Sequence, residues 1–145
     1  MKIIEAKRRH IPQIMAVRLA VRENQLSDPS KVTAEDCRAM LEERGRGWVC
    51  EVDGRVVGFA IVDVVGKNVW ALFLLPEFER QGIGQQLHNR MLEWAFAQGV
   101  DQLWLSTDPG TRAEGLYRKM GWGETGSMSS GELRFELNAK QFSKK

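Results

Sequence analysis

Two glycines lie where a predicted strand is followed by a predicted helix, and this junction is well suited to bind an anion. Residues 75–87 read LPEFERQGIGQQL. Gly82 and Gly84 allow the backbone to approach a ligand closely, and the free N–H groups at a helix start attract phosphate oxygens. Arg80 adds a positive charge. The glycine spacing by itself fits equally well a tight strand-to-helix turn that binds no ligand.

Neighbouring residues exclude two other phosphate-binding motifs. Leu87 occupies the position where a dinucleotide fingerprint needs its third small residue. No Gly-Lys-Ser or Gly-Lys-Thr follows, as a nucleotide P-loop requires. The loop is therefore neither of these two.

Tyr117 is the only tyrosine of the chain and lies in a short predicted helix, residues 112–120. A phenol has an ordinary pKa of about 10, so it stays protonated at neutral pH and can donate a proton. Alternatively, Tyr117 packs beside Leu116 on the apolar side of its helix. Considered without the flanking sequence, the packing role is favoured.

Composition indicates one compact domain with balanced charge. The 145 residues are 43% hydrophobic, which suits a single core, so we expect one domain over residues 1–145. The 21 Lys and Arg against 19 Asp and Glu argue against a nucleic-acid partner.

The two cysteines and two histidines of the chain lack zinc-site spacing, so no metal is expected. No membrane span or signal peptide is recognisable, so we expect a cytoplasmic protein.

The positions of apolar, glycine and capping residues predict the order of elements. Thr33 and Asp36 form a capping box that opens a second helix, after a first helix that ends near Asn24 and a turn at residues 25–30. Asp53-Gly54 suits a type I′ turn between two strands. The predicted elements are a strand at residues 2–6, helices at 11–24 and 33–45, strands at 48–52, 55–64 and 69–75, a helix at 83–99, a strand at 103–105, a helix at 112–120 and a strand at 133–137.

Several conspicuous side chains are assigned packing roles. Four tryptophans occupy apolar positions of predicted strands and a helix, so we expect them in the core: Trp48, Trp70, Trp94 and Trp104. His88 lies beside the apolar stripe of the helix at 83–99, and we expect it to be half-exposed.

Two stretches together resemble the signatures of the GCN5-related N-acetyltransferase (GNAT) family. Residues 79–84 are similar to its Gln/Arg-x-x-Gly-x-Gly/Ala loop, which holds the pyrophosphate of acetyl-coenzyme A. Residues 113–122, AEGLYRKMGW, are similar to its Ala-x-x-Leu-Tyr-x-Lys-x-Gly-Phe segment, with Trp122 at the last position. One helix and one strand separate the two stretches, as in the family.

The resemblance implies a fold, a cosubstrate and a set of site residues. The fold is a mixed α+β, three-layer structure whose mostly antiparallel sheet splays open after the fourth strand. Acetyl-coenzyme A enters the gap, an amine attacks the thioester directly through a tetrahedral intermediate, and Tyr117 protonates the leaving thiolate. The implied cofactor-binding residues are the strand residues Phe73, Leu74 and Leu75, which offer backbone groups, and the loop residues Arg80, Gln81, Gly82, Ile83, Gly84 and Gln85. The implied partners are acetyl-coenzyme A, an unidentified amine-bearing acceptor and, from relatives that pair, a second copy of the chain through the strand at 133–137.

The chain departs from the family signatures at two places. Glu79 stands where the phosphate loop usually begins with Gln or Arg, so either Glu79 turns away to solvent or coenzyme A binds more weakly. No carboxylate lies near Ser106, where some members carry a general base. Glu23, Asp28 and Asp108 are candidates, and each is more often a solvated surface residue, so no base is assigned.

Two alternatives to an enzyme stay open, one from the missing carboxylate and one from the glycine loop. A non-catalytic acyl-coenzyme A sensor would keep the pocket without the base. A small nucleotide or nucleic-acid binding module would use the glycine loop for phosphate, and its binding would fall steeply with salt.

Overall fold

A computed structural model of the chain describes residues 1–21 and 32–143. The first helix ends at Ala20, before the predicted end near Asn24, because the Val21 backbone is already extended, with ψ 123°. The turn expected at residues 25–30 and the candidate bases Glu23 and Asp28 lie outside the described residues.

Within these ranges, seven strands form one sheet in the order β1-β2-β3-β4-β5-β7-β6. The strands are β1 Lys2–Glu5, β2 Gly45–Val52, β3 Arg55–Asp63, β4 Asn68–Leu74, β5 Gln102–Thr107, β6 Gly123–Ser127 and β7 Leu133–Asn138. The helices are α1 Ile11–Ala20, α2 Ala34–Ala39, α3 Ile83–Ala97, α4 Arg112–Lys119 and α5 Ala139–Ser143, with short helical turns at Arg8–His10, Met40–Arg44 and Pro76–Phe78. Only β4 and β5 pair in parallel. The mixed, mostly antiparallel α+β fold is confirmed.

Local sequence signals explain several element boundaries. Asp53 and Gly54 both have positive φ, 52° and 76°, as the predicted type I′ turn between β2 and β3 requires. Thr33 Oγ1 accepts from the Asp36 N–H at 3.0 Å, and the Asp36 carboxylate accepts from the Thr33 N–H at 2.9 Å, so the capping box opens α2 as predicted. Gly99 follows α3 with φ 95°, in the position of a C-terminal cap.

The sheet opens between β4 and β5. These two strands share a single pair of partner residues, Asn68 and Trp104, at the start of β4. On its other side β4 stays paired with β3 from Asn68 to Leu74, and β5 stays paired with β7 along its whole length. The divergence therefore separates two well-paired halves, and the splay expected after the fourth strand is confirmed.

Consecutive residues of β4 face opposite sides of the sheet. The Phe73 ring packs against the Phe59 ring with centroids 5.6 Å apart, and Arg18 of α1 lies over the same Phe73 ring. Leu74 points to the other face, where a Cβ built on Gly58 would meet both Leu74 and Leu87 of α3. Helices α1 and α3 thus cover opposite faces of the sheet beside the opening.

Three of the four tryptophans expected in the core are only half-buried, and two elements of the fold were not predicted. Of the four tryptophans assigned to the core, only Trp48 is buried. The rings of Trp70, Trp94 and Trp104 are half-buried because arginine guanidinium groups lie over them, at 4.5–5.5 Å from the ring centroids. Strand β6 was not predicted because its exposed sequence, GETGS, has no apolar side chain. Helix α5 was not predicted either.

Strand β7, expected as the place of a dimer contact, has no free edge. Both edges of β7 are paired, with β5 and with β6, so the free edge of the sheet on that side belongs to β6. A homodimer itself stays a prediction.

The helices in the described part of the chain are all too short or too polar to span a lipid bilayer.

Replacing Gly58 by alanine tests how tightly β3 packs against β4 and α3 beside the opening. The new Cβ would lie 2.7 Å from Leu74 Cδ1 and 3.1 Å from the Phe73 carbonyl oxygen, both closer than van der Waals contact. We expect Gly58→Ala to lower the free energy of unfolding by about 1–3 kcal/mol, measured by urea denaturation. Gly123→Ala in exposed β6, where a Cβ meets no atom within 4 Å, is the control and should cost less than about 0.5 kcal/mol. Equal losses in the two variants would contradict tight packing at Gly58.

Candidate active site

A cleft of about 460 Å³ lies at the opening of the sheet. It is bounded by the end of α1, the last residues of β4, the loop that follows, the start of α3 and one side of α4. The lining residues are Val21, Leu72, Phe73, Leu74, Glu79, Arg80, Gly82, Gly84, Gln85, Arg112, Ala113, Gly115, Leu116, Tyr117 and Lys119. Its volume lies within the range of about 300–1,000 Å³ that is usual for small-molecule sites.

Most of the residues expected to bind the cofactor line this cleft, but three do not. Leu75 is buried and donates its N–H to the Val57 carbonyl at 2.8 Å. Ile83 is buried in the core, and the exposed Gln81 does not line the cleft. The structure adds lining residues that the sequence did not single out, among them Val21, Leu72 and Lys119. Leu72 precedes the expected strand residues by one position, whereas nothing in the local sequence marks Val21.

The backbone of the glycine loop has the conformation expected of an anion-binding turn. Arg80 and Gly82 both lie in the left-handed region, with φ values of 65° and 81°. A non-glycine residue seldom adopts this conformation, so its occurrence at Arg80 marks a strained turn. A Cβ on Gly82 would meet no atom within 4 Å, so the backbone at the first turn of α3 is open to a ligand. The N–H groups and the positive end of the α3 dipole are therefore accessible.

Strand β4 directs alternate backbone groups towards the opening. Leu75 donates its N–H to β3, and Phe73, two residues earlier, has the same orientation. Leu72 and Leu74 consequently direct their N–H and C=O groups to the opposite edge, where β5 has diverged. Of the three residues expected to offer backbone groups, Leu74 is thus the one that faces the gap.

Glu79 does not take the solvent-facing orientation that was one of its two expected roles, and weaker binding of coenzyme A stays a prediction. Its side chain is only 17% exposed, and Oε2 lies 2.5 Å from Nε of Arg112 at the start of α4. The carboxylate is therefore held inside the cleft by a charge-assisted contact and does not turn away to solvent. The described lining of the cleft contains three cationic residues, Arg80, Arg112 and Lys119. Glu79 is its one carboxylate, so the lining carries a net positive charge.

Helix α4 fixes the position of Tyr117. The side chain of Thr111 caps the helix by accepting the Glu114 N–H at 3.2 Å, and the Glu114 carboxylate accepts the Gly110 N–H at 2.7 Å. On the solvent side, Glu114 also binds Arg118. Tyr117 faces inward, is buried and lines the cleft. Burial raises the pKa of Tyr117 above its ordinary value of about 10, so its hydroxyl is protonated at any physiological pH.

A buried aromatic cluster lies behind Tyr117. The Trp122 ring packs edge-on to Tyr117 at a centroid distance of 5.8 Å and to His88 at 6.1 Å. Trp122 Nε1 donates a hydrogen bond to His88 Nε2 at 2.9 Å, and His88 Nδ1 lies 3.0 Å from the Asn89 side-chain oxygen. His88 is fully buried and not half-exposed as expected, because Trp122 supplies a buried donor for its ring nitrogen.

The structure supplies little to act as a general base. Asp108, expected at the surface, is buried. Among the described residues that line the cleft, Glu79 is the single carboxylate, and Arg112 binds it. The described residues also contain no cluster of His, Cys, Asp and Glu suited to hold a metal ion.

Comparison with known proteins places the chain in a family. The profile of the Acetyltransferase (GNAT) family matches residues 13–122. The chain therefore belongs to the GNAT family, as the two signature stretches implied.

Two curated relatives match parts of the chain. An uncharacterized N-acetyltransferase of Archaeoglobus fulgidus is 38% identical over 69 residues, covering 39% of this chain and 46% of the relative. An uncharacterized N-acetyltransferase of Methanocaldococcus jannaschii is 31% identical over 88 residues, covering 53% of this chain and 38% of the relative. The matched parts thus span less than half the length of these relatives.

A solved structure matches nearly the whole chain. The PaiA N-acetyltransferase from Thermoplasma acidophilum, crystallised with coenzyme A, has a TM-score of 0.77 and 16% sequence identity, covering 95% of this chain and 99% of that protein. At this identity the likeness concerns the fold, which is that of the family.

The hydrogen bond between Trp122 and His88 can be tested by removing its donor. Trp122→Phe, which installs the family's usual residue, leaves His88 Nε2 buried without the indole donor. We expect the free energy of unfolding to fall by about 1–3 kcal/mol for the lost donor alone, measured by chemical denaturation.

Trp104→Phe is the matched control. Trp104 Nε1 donates to the Gly66 carbonyl at 3.0 Å in a half-buried position, where water replaces the lost donor. We expect this variant to lose less than about 1 kcal/mol. A loss at Trp122 no larger than at Trp104 would show that the buried bond to His88 adds nothing.

Proposed function

We propose that this protein is an N-acetyltransferase that transfers an acetyl group from acetyl-coenzyme A to a primary amine. The observation that carries the proposal is the cleft itself. It combines a cationic glycine loop, a strand edge without its neighbour and a buried protonated tyrosine. These three features match the three parts of the cosubstrate, namely pyrophosphate, pantetheine and thioester. Family membership and the coenzyme A complex of the Thermoplasma acidophilum structure support the choice of cosubstrate.

The glycine loop is proposed to hold the pyrophosphate. Backbone N–H groups at the first turn of α3 would donate to phosphate oxygens, and the open space at Gly82 admits them. Arg80 and Arg112 would add positive charge. Gln85, on the first turn of α3, also lines this end of the cleft.

Strand β4 is proposed to bind the pantetheine arm and the thioester. The arm carries amides of its own, so it can pair with the free edge of β4 as an added strand would. The Leu74 N–H faces the gap and is the group that we propose donates to the thioester carbonyl oxygen. In the transition state that oxygen gains negative charge, and a fixed donor stabilises it without rearranging.

Tyr117 is proposed to be the general acid. The neutral amine attacks the carbonyl carbon, and the carbon–sulfur bond then breaks with its electron pair leaving on sulfur. The Tyr117 hydroxyl would donate its proton to this sulfur. The attacking nitrogen loses a proton as the amide forms, and this proton would restore the Tyr117 hydroxyl before the next turnover. Because an ordinary thiol has a pKa of about 8.5, the tyrosinate is a stronger base than the thiolate and takes this proton up.

A non-catalytic acyl-coenzyme A sensor is the second candidate. It is favoured by one observation, that the single carboxylate among the described cleft residues is bound by Arg112. An acceptor amine with a pKa near 10 must lose a proton before it attacks, and Glu79 is the one carboxylate among the described cleft residues. Measured turnover therefore separates the sensor from the enzyme.

Charge removal at Glu79 tests the phosphate loop. Glu79→Gln restores the residue that the family signature favours and releases Arg112 from its carboxylate. We expect acetyl-coenzyme A to bind roughly 3- to 10-fold more tightly, measured by isothermal titration calorimetry at fixed ionic strength.

Glu77→Gln, on the exposed turn two residues earlier, is the matched control and should change the dissociation constant less than about twofold. Weaker binding by Glu79→Gln would show that Glu79 positions Arg112 for the cosubstrate instead of competing with it. No binding by the unaltered protein would reject the proposed function.

Replacing Tyr117 by phenylalanine tests the acid. We expect kcat to fall by about 10²- to 10⁴-fold. The reaction is the acetyl-coenzyme A-dependent acetylation of an amine panel, and it is monitored by the release of free thiol. The dissociation constant of acetyl-coenzyme A should change less than about twofold, because only a hydroxyl is lost. Turnover absent from the unaltered protein, with coenzyme A binding intact, would support the sensor.

The pH profile adds a second readout for Tyr117. Its raised pKa keeps the hydroxyl protonated past pH 10, so kcat/KM of the unaltered protein should show no fall between pH 7 and about 9.5. A fall in this range that disappears in Tyr117→Phe would contradict the raised pKa.

A further inference from the structure

Two nitrogen atoms of Arg18, on α1, have no hydrogen-bond partner among the described residues. Its Nε and Nη1 are shielded from solvent, and no described residue offers either of them an acceptor. Buried donors on a charged group are nearly always paired, and an arginine keeps its charge at all physiological pH values. Arg18 therefore differs from Arg8, Arg38, Arg44 and Arg118, each of which binds a carboxylate.

The surroundings of Arg18 are apolar and aromatic. Its guanidinium carbon lies 5.5 Å from the Trp70 ring centroid and 5.1 Å from the Phe73 ring centroid. The described titratable group that acts on it is the Cys37 thiol, and burial raises the pKa of that thiol to about 11. Cys37 is thus neutral at pH 7 and does not balance the arginine charge. The rings attract the cation, but they accept none of its N–H groups.

Arg18 lies on the α1 side of the sheet, beside the cleft, and is not itself one of the lining residues. The Phe73 ring that it covers lines the cleft, and Val21, which lies three residues after Arg18, lines it too. Strand β4 carries a bulge at Trp70, where the pairing with β3 shifts between Ala71 and Val69. Such a bulge turns a side chain out of the regular alternation, and here the Trp70 ring contacts the same guanidinium as Phe73.

We propose that Arg18 binds a carboxylate of the acceptor, so that the amine substrate is a carboxylate-bearing molecule such as an amino acid or a peptide. This inference rests on the proposed function, because it assigns a chemical class to the acceptor of that same site. A carboxylate can bridge either edge of a guanidinium, and each edge contains one of the two unpartnered nitrogens. The glycine loop lies at the start of α3, on the other face of the sheet. The two anionic substrates would thus be held by different cations.

The acceptor panel is built from matched pairs. Each α-amino acid, β-alanine and several dipeptides are compared with the corresponding carboxamide, which keeps the amine and removes the negative charge. We expect the carboxylate form to be acetylated with at least about tenfold higher kcat/KM, as is usual for a charge-assisted hydrogen bond. Arg18→Gln should raise KM for the preferred carboxylate at least about tenfold and should leave KM for its carboxamide unchanged.

Control variants separate binding from structural damage. Arg9→Gln removes an exposed arginine two residues before α1 and should leave every acceptor KM unchanged. Arg18→Lys keeps the positive charge but lacks the two parallel N–H donors of a guanidinium, so it should recover part of the preference for the carboxylate over the carboxamide. This variant also keeps the proposal testable if Arg18→Gln does not fold. A purely structural arginine would shift stability while the carboxylate and carboxamide values moved together, and this outcome would overturn the proposal.

A binding measurement distinguishes failure of this inference from failure of the proposed function. The N-acetylated forms of the same pairs are titrated into the protein with saturating coenzyme A. Arg18-dependent binding of carboxylates without any turnover would support the anion site and reject the enzyme. Turnover without carboxylate preference would reject the role of Arg18 and keep the enzyme. If no member of the panel is bound or acetylated, the carboxylate proposal is wrong.

Discussion

The loss of pairing between β4 and β5 is the constraint on which the rest of the site depends. Backbone N–H and C=O groups inside a protein need partners, and on this edge of β4 the neighbouring strand no longer supplies them. The opening persists because each half of the sheet is complete on its own, β4 being held by β3 and β5 by β7. A ligand with amide groups therefore meets a preformed strand edge, and neither half has to rearrange to receive it.

The same opening brings together positive charges that repel one another in the absence of a ligand. Arg80, Arg112 and Lys119 line the cleft beside the positive end of the α3 dipole. Glu79 reduces this repulsion by binding Arg112, so it stabilises the protein without a ligand. The phosphate of the proposed cosubstrate would compete with Glu79 for the same guanidinium. Ligand affinity and stability of the ligand-free protein are thus opposed at this position, which is where the chain departs from its family signature.

Most of the fold follows from local sequence signals, whereas several features of the site depend on contacts between distant residues. The Asp53-Gly54 turn and the cap at Gly99 are decided by backbone conformation within a few residues, and both were predictable. The pair formed by Glu79 and Arg112 joins residues 33 positions apart, so no local pattern indicates it. His88 was expected to be half-exposed for the same reason, since its donor Trp122 belongs to another element. Strand β6 was missed because it contributes backbone pairing and no apolar side chain.

The bond between His88 and Trp122 links the two helices that carry the proposed phosphate site and the proposed acid. His88 lies on α3, whose first turn borders the glycine loop, and Trp122 follows α4, which carries Tyr117. A phenylalanine at position 122 would fill similar space but would remove this hydrogen bond. A directional bond between buried groups restricts sliding of one helix past the other more than apolar contact does. The bond therefore connects the elements that carry the proposed phosphate site and the proposed acid, and a cosubstrate of fixed length would need these two at a constant separation.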